Sequence, residues 1–180
     1  QRVMDLEMNF LHHGMPPRPM QSTYRRKMHE EPQEQALENL TDTLHAMLGR
    51  LNIASTAFIA QQYDHEVQGG SVIKPLQGRG RVTGDATVTR PVLSSPKGVV
   101  IAQGMNPSYS DIDTYDMAAC AIDTAIRNVV VAGGNLEHLA LMDNFCWYSP
   151  DDPESLGQLK AATQACHDYA FAFGAPWISG

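Results

Sequence analysis

Three shortages narrow what this chain can be. Cysteine is scarce: Cys120, Cys146 and Cys166 are an odd number with no close pair, which argues against a disulfide framework and against a C-x-x-C metal site. Apolar runs are short, and none approaches the roughly 20 residues that a membrane helix needs. Positive charge is in deficit, with 13 Lys and Arg against 20 Asp and Glu for a net charge of −7. Nucleic acid is therefore not an expected partner, because phosphate binding needs a basic face. No basic-then-apolar leader opens the sequence, so a reducing, cytoplasmic setting away from membranes is the expectation. Catalytic signatures are missing too. Neither Gly69-Gly70 nor Gly133-Gly134 forms a Walker loop or a G-x-G-x-x-G turn. His65, His138 and His167 have no positioned nucleophile in sequence.

What is present fits one domain with an appendage: 180 residues, 43% of them hydrophobic. Residues 1–31 read as irregular, because Pro16, Pro17 and Pro19 break any helix. His12-His13 invites a metal reading, but no third ligand lies at helical spacing, and a solvated or interfacial loop is preferred. A helix is expected from Pro32 to Gly49, with Leu37, Leu40, Leu44, Met47, Leu48 and Leu51 as one stripe, and a second, short one from Thr56 to Asp64.

From Gly70 the pattern turns to strands. Ser71–Ile73 is β-prone, Arg81–Arg90 alternates, Ser94–Gly98 is a turn, and Gly98–Gln103 reads as a buried strand. Asp113 or Thr114 caps a helix to about Ala132, with a face of Met117, Ala118, Ala121, Ile122, Ala125, Ile126, Val129 and Val130. Gly133-Gly134 stops it. Leu136–Met142 reads as a strand. Asp152-Pro153 opens a helix striped by Leu156, Leu159, Ala162, Cys166, Tyr169, Ala170 and Phe173, Gly174 ends it, and Pro176-Trp177-Ile178 begins a last strand. The expected fold is α+β: a mixed β-sheet with helices on one face and an open sheet face that invites a partner.

Asp143 is the carboxylate that matters most in this reading. It follows Leu139-Ala140-Leu141-Met142, at the carboxyl end of an expected strand, where ligands of α/β sheets gather. There it would hold Mg²⁺ or a nucleotide hydroxyl, and the alternative is a turn or capping Asp beside Asn144. Gly180 stands where a second strand should end. Its missing Cβ would admit a phosphate or a base, and the alternative is an ordinary turn glycine. Asp111, Asp113, Asp116 and Asp123 cluster near one helix start, which helix-dipole compensation explains without a metal. Gly78-Arg79-Gly80-Arg81 is a basic loop that reads best as a surface turn.

Several stretches then agree with one family. Met4-Asp5-Leu6, Phe10-Leu11-His12-His13-Gly14, Gln62-Tyr63-Asp64 and the run from Val67-Gln68 to Lys74-Pro75 come first. Gly84-Asp85-Ala86, Asn106-Pro107 with Tyr109, Ala125-Ile126-Arg127-Asn128, Met142-Asp143-Asn144-Phe145 and Ile178-Ser179-Gly180 come next, in order. Each alone is weak, but as a set spread over nearly the whole chain they resemble phosphoribosylformylglycinamidine synthase. The likeness is to the second of two related repeats in its large subunit.

The resemblance implies an N-terminal-type domain of aminoimidazole ribonucleotide synthetase. Two such sheets, from a sibling repeat or a homodimer, would close into a barrel. It implies a ligase that uses ATP, Mg²⁺ and glutamine to convert formylglycinamide ribonucleotide to the amidine, with ammonia from a glutaminase domain or subunit. It also implies ATP contacts at Asp143 and Gly180. The family's other repeat carries a catalytic histidine in a His-Asn-His-Pro-Ser type stretch. Here that stretch reads Gly104-Met105-Asn106-Pro107-Ser108, Ala102 replaces a metal-binding glutamate, and Arg127-Asn128 replaces Arg-Asp. No catalytic residue and no protein metal ligand are therefore expected in this chain.

The domain reading is 1–31 as a linker or tail of a preceding domain, 32–68 as leading helices, and 69–180 as the synthetase-type domain. Gln1 in place of an initiator Met and the stop at Gly180 lead us to expect a piece of a longer enzyme that is inactive alone. Two alternatives remain: a structural dimerisation repeat, or a sibling ATP-binding family such as thiamine monophosphate kinase or selenophosphate synthetase.

Overall fold

Aspartates start both long helices, and alanines let those helices meet. The computed structural model describes residues 2–34, 36, 39–63 and 66–180. In chain order the elements are α1 (Met8–His13), α2 (Thr41–Leu48), α3 (Ala57–Ala60), β1 (Ser71–Ile73), β2 (Leu76–Gln77), β3 (Val82–Thr83), β4 (Ala86–Thr89), β5 (Val99–Ala102), α4 (Thr114–Val131), β6 (Leu141–Met142), α5 (Pro153–Phe173) and β7 (Trp177–Ser179). Asp113 caps α4 by accepting from the N–H groups of Tyr115 (2.8 Å) and Asp116 (3.1 Å). Asp152 caps α5 by accepting from the Ser155 N–H at 2.8 Å, with Pro153 in the first turn. Each cap satisfies N–H groups that have no partner inside the helix, and stabilises by about 1 kcal/mol. At the far end of α5, Gly174 adopts the left-handed conformation at φ 63°, which its lack of a Cβ permits.

The two helices lie side by side with their starts together. The Thr114 hydroxyl donates to the Gln158 carbonyl at 2.9 Å, and the Tyr115 hydroxyl to Asp168 at 3.0 Å. Between these bonds Ala118 and Ala119 pack in one cluster with Ala162 and Ala165, the latter two with no exposure at all. Small side chains set a close interaxial approach. Further along, Ile122 and Ile126 join Leu141, Cys166 and Ala175 in a second cluster. Burying each isoleucine stabilises by about 1.5–3 kcal/mol. Phe145 packs against both clusters, and its ring meets Trp147 edge-on at 5.6 Å.

The strands form three separate ladders rather than the one mixed sheet expected. β4 lies between β1 and β5 in an antiparallel sheet, β2 pairs with β3 antiparallel, and β6 pairs with β7 parallel. Parallel and antiparallel pairings are both present, but they are not bonded to each other among the described residues. β5 alternates: Val99 and Ile101 are exposed, whereas Val100 and Ala102 are half-buried. It is therefore not the buried strand expected, because one side of this antiparallel sheet is left open.

Other expectations need correction. Residues 1–31 are not wholly irregular, since α1 forms there. The helix expected from Pro32 begins only at Thr41; Leu37 lies outside the described residues. Leu40, Leu44 and Leu48 are exposed, so no packing supports an earlier turn, and short helices without tertiary support are marginal. The helix expected over 56–64 is the four-residue α3, with Asp64 outside the described residues. The alternating segment 81–90 is two strands: the chain leaves its β2 partner at Gly84-Asp85 and re-pairs with β1 and β5. Leu136–Met142 is not one strand. Asn135 accepts from the Glu137 N–H at 3.0 Å and winds Leu136–His138 into a 3₁₀ turn, which leaves only Leu141–Met142 extended. On α5 the buried positions are Ser155, Gly157, Ala161, Ala162, Ala165 and Cys166, so the face is smaller-sided than the expected stripe of Leu156 and Leu159.

Candidate functional site

β6, α5 and β7 form a β-α-β unit: two parallel strands with a helical connection. Leu141 pairs with Trp177 and Met142 with Ser179. The Asp143 N–H then donates to the Ser179 carbonyl at 3.2 Å, which extends the ladder by one rung. Asp143 and Gly180 thus leave the carboxyl ends of adjacent strands side by side. These two residues, separated by the whole of α5 in sequence, are in direct contact. A Cβ built on Gly180 would land on the Asp143 carboxylate. The glycine is what lets the carboxylate lie across the neighbouring strand end, half-buried and still reachable. The carboxyl ends of parallel strands are where α/β folds present ligand-binding groups.

Beneath this corner sits Cys166, buried, with its carbonyl accepting from the Trp177 indole N–H at 3.1 Å. Burial, reinforced by the negative charge of Asp143, pushes its thiol up to about 11. At pH 9 an ordinary thiol is largely ionised while this one keeps its proton, so alkylation there should modify exposed Cys120 and Cys146 first. Cys166 should react only with denaturant present, as counted by mass spectrometry. The folded thiol holds its proton longer than the unfolded one, so its contribution to stability is intact below pH 9 and falls as pH climbs through about 11.

Around Asp143 the fit to a hydrated Mg²⁺ or a ribose hydroxyl is that of a single open carboxylate. Among the described residues no group of three or more His, Cys, Asp or Glu side chains is placed to hold a metal. Mg²⁺ keeps several waters and takes phosphate oxygens besides one or two carboxylates, so this one aspartate does not by itself make a metal site.

The other residues singled out from sequence lie elsewhere. Arg127 pairs with Asp123 at 2.6 Å on the exposed side of α4, and the Asn128 side-chain N–H donates to the Gln103 carbonyl at 3.2 Å. Pro107 and Ser108 lie in a 3₁₀ turn ahead of α4, and Ala102 ends β5. Of the acidic cluster, Asp113 is a cap and Asp116 sits in the first turn of α4, as dipole compensation requires. Arg81 bonds Gln61, so the Gly78–Arg81 loop is a tied surface turn. His65 is outside the described residues.

Sequence reasoning missed a second concave place. A pocket of about 590 Å³ lies between the starts of α4 and α5 and the segment 22–26, bounded by Tyr24, Arg26, Asp113, Tyr115, Lys160 and Gln164. Neither Asp143 nor Gly180 lines it. The signal for it was charge: Arg18, Arg25, Arg26 and Lys27 gather in an acidic chain, opposite the aspartates at the helix starts.

An α+β domain with a carboxylate at the end of a parallel strand pair is the class these features define. The family model described as AIR synthase related protein, N-terminal domain, matches residues 83–180, more than half of the chain, and the chain belongs to that family. Among curated proteins it is similar to the phosphoribosylformylglycinamidine synthase subunit PurL of Thermococcus sibiricus, 36% identical over 142 residues, covering 79% of this chain and 18% of that relative. The subunit PurL of Thermoplasma volcanium is 28% identical over 183 residues, covering 100% of this chain and 24% of that relative. The chain therefore spans about a quarter or less of these relatives. No solved structure matches. No helix among the described residues is long and apolar enough to cross a membrane.

Proposed function

We propose that this chain contributes one nucleotide-binding half of a phosphoribosylformylglycinamidine synthase, with Asp143 and Gly180 as its ATP-facing residues. The observation that carries the reading is the Asp143 carboxylate lying over Gly180 at the ends of two parallel strands. The whole enzyme would be a ligase that converts formylglycinamide ribonucleotide to the amidine, with ammonia supplied by a glutaminase partner. When bound, ATP supplies the phosphoryl group that turns an amide oxygen into a leaving group. In this chain Asp143 orients the nucleotide or its Mg²⁺, and Gly180 leaves the carboxylate the room to lie across the strand end. No general acid or base is assigned to this chain: Gly104 and Asn106 stand where the resemblance places the sibling repeat's imidazoles, and Ala102 where it places the glutamate. Chemistry in that sibling and site completion here is the division of labour we infer.

Sedimentation equilibrium with and without Mg-ATP tests this, with nucleotide followed by absorbance. A dimer that carries ATP, and loses it in D143A, is the expected result. A dimer that carries none favours a second reading, an assembly repeat. That reading draws support from the exposed apolar side chains Val72, Val99 and Ile101 on the β1-β4-β5 sheet, a face suited to a homodimer or sibling repeat. A monomer would sink the pairing itself.

A further inference from the structure

Residues 18–29 cross the starts of α4 and α5 without regular secondary structure, and specific bonds hold them along their length. Arg18 pairs with Asp151 at 3.1 Å. The Thr23 N–H donates to the Pro153 carbonyl at 2.8 Å. The Tyr24 hydroxyl donates to Asp113 at 2.5 Å. Arg26 reaches Asp116 at 2.5 Å and Asp113 at 3.7 Å, and a His29 ring nitrogen meets the Ile112 carbonyl at 3.2 Å. At the crossing point Gly157 lies so close that a Cβ there would overlap the Thr23 backbone. Charge is complementary: the segment carries Arg18, Arg25, Arg26 and Lys27 with no acidic residue, and it lies on Asp113, Asp116 and Asp151. In contrast, the described residues between 30 and 40 are exposed and without regular structure, so the segment is held by its own bonds and not by its connection to α2.

We propose that the groove across the starts of α4 and α5 is a peptide-docking surface, and that its occupant is this chain's own basic segment 18–29. It recognises the segment through a backbone bond at Pro153, an aromatic hydroxyl at Asp113 and a guanidinium at Asp116, with Gly157 as the passage. The pocket of about 590 Å³ is walled by the segment at Ser22, Tyr24 and Arg26 on one side and by α4 and α5 on the other. Asp113 serves two partners here, since its carboxylate caps α4 and accepts from the Tyr24 hydroxyl. Burial and that carboxylate push Tyr24 up to about 12, so the hydroxyl stays protonated and able to donate across the ordinary pH range.

The test is to insert a protease recognition sequence between residues 32 and 34 of the full chain, cut it, and pass the nicked protein through a sizing column. The amino-terminal piece should co-elute at low salt. It should leave progressively toward 1 M NaCl, where screening contracts to about 3 Å. R26D should weaken retention about two- to fivefold at low salt, as for exposed pairs, and D116R in the same chain should restore it. G157V, which changes the passage and no charge, should release the piece at every salt concentration. Release of the unsubstituted piece at low salt would overturn the proposal, as would retention that neither R26D nor G157V alters.

Discussion

Replacing Gly180 by valine should remove any nucleotide response of this chain while leaving its unfolding midpoint without nucleotide within about 1 °C, as for a substitution outside the core. The asymmetry comes from where the new atoms go. The Cβ at position 180 would occupy the space of the Asp143 carboxylate, which must rotate away, and Gly180 belongs to neither core cluster. An aspartate turned from the strand ends no longer presents its oxygens where the β-α-β corner opens. D143A should give the same loss, and the double variant should be no worse than either single one, because both act on one group. Thermal shift with Mg-ATP reads all three. A G180V protein that still responds to nucleotide would show that the carboxylate is not needed in its present position.

Ile126→Ala should have the largest effect on stability, about 2–5 kcal/mol, because it leaves a cavity in a core that cannot collapse. Ile126 is 4% exposed and packs with Ile122, Leu141 and Cys166. For a chain of this length the melting point should fall by about 4–20 °C. Ile101→Ala is the matched control. It deletes the same atoms from a side chain that is 64% exposed on the open sheet face, so a monomer should shift by less than about 0.5 kcal/mol. Loss of stability at Ile101 comparable with that at Ile126 would mean that the face is covered in solution, which sedimentation of the same samples would register.

The parts of the molecule that were legible from sequence are those with local causes. Asp113 and Asp152 announce helix starts, Gly133 and Gly174 announce stops, and the isoleucines of α4 repeat at helical spacing, so both long helices were read nearly to their ends. Asp143 and Gly180 were each legible as standing at the carboxyl end of a strand, and their adjacency follows once those two strands pair in parallel. What escaped depended on distant partners. Ala86–Thr89 pairs with β5 and β1 while Val82–Thr83 pairs elsewhere, and no alternation within 81–90 tells the two apart. On α5 the expected stripe packs inward at Ala162, Cys166, Tyr169 and Ala170, but Leu156 and Leu159 are only half-buried while Ala161 and Ala165 are buried, because a close neighbour favours small side chains on that face. The basic segment 18–29 had no apolar periodicity to read; only its charge marked it.

Phe145 gives the corner at Asp143 a further property. The half-buried ring packs against both core clusters two residues beyond the carboxylate, while the Asp143 N–H is held on the other side by the Ser179 carbonyl. The aspartate is thus clamped at both ends of a very short backbone span, in a loop that otherwise runs on to Asp152 with little regular structure. Little conformational entropy remains for a ligand to remove when it arrives, since folding has already frozen that stretch. The hydrophobic core, which reaches this corner through Phe145 and Cys166, therefore sets how the Asp143 carboxylate is offered to solvent.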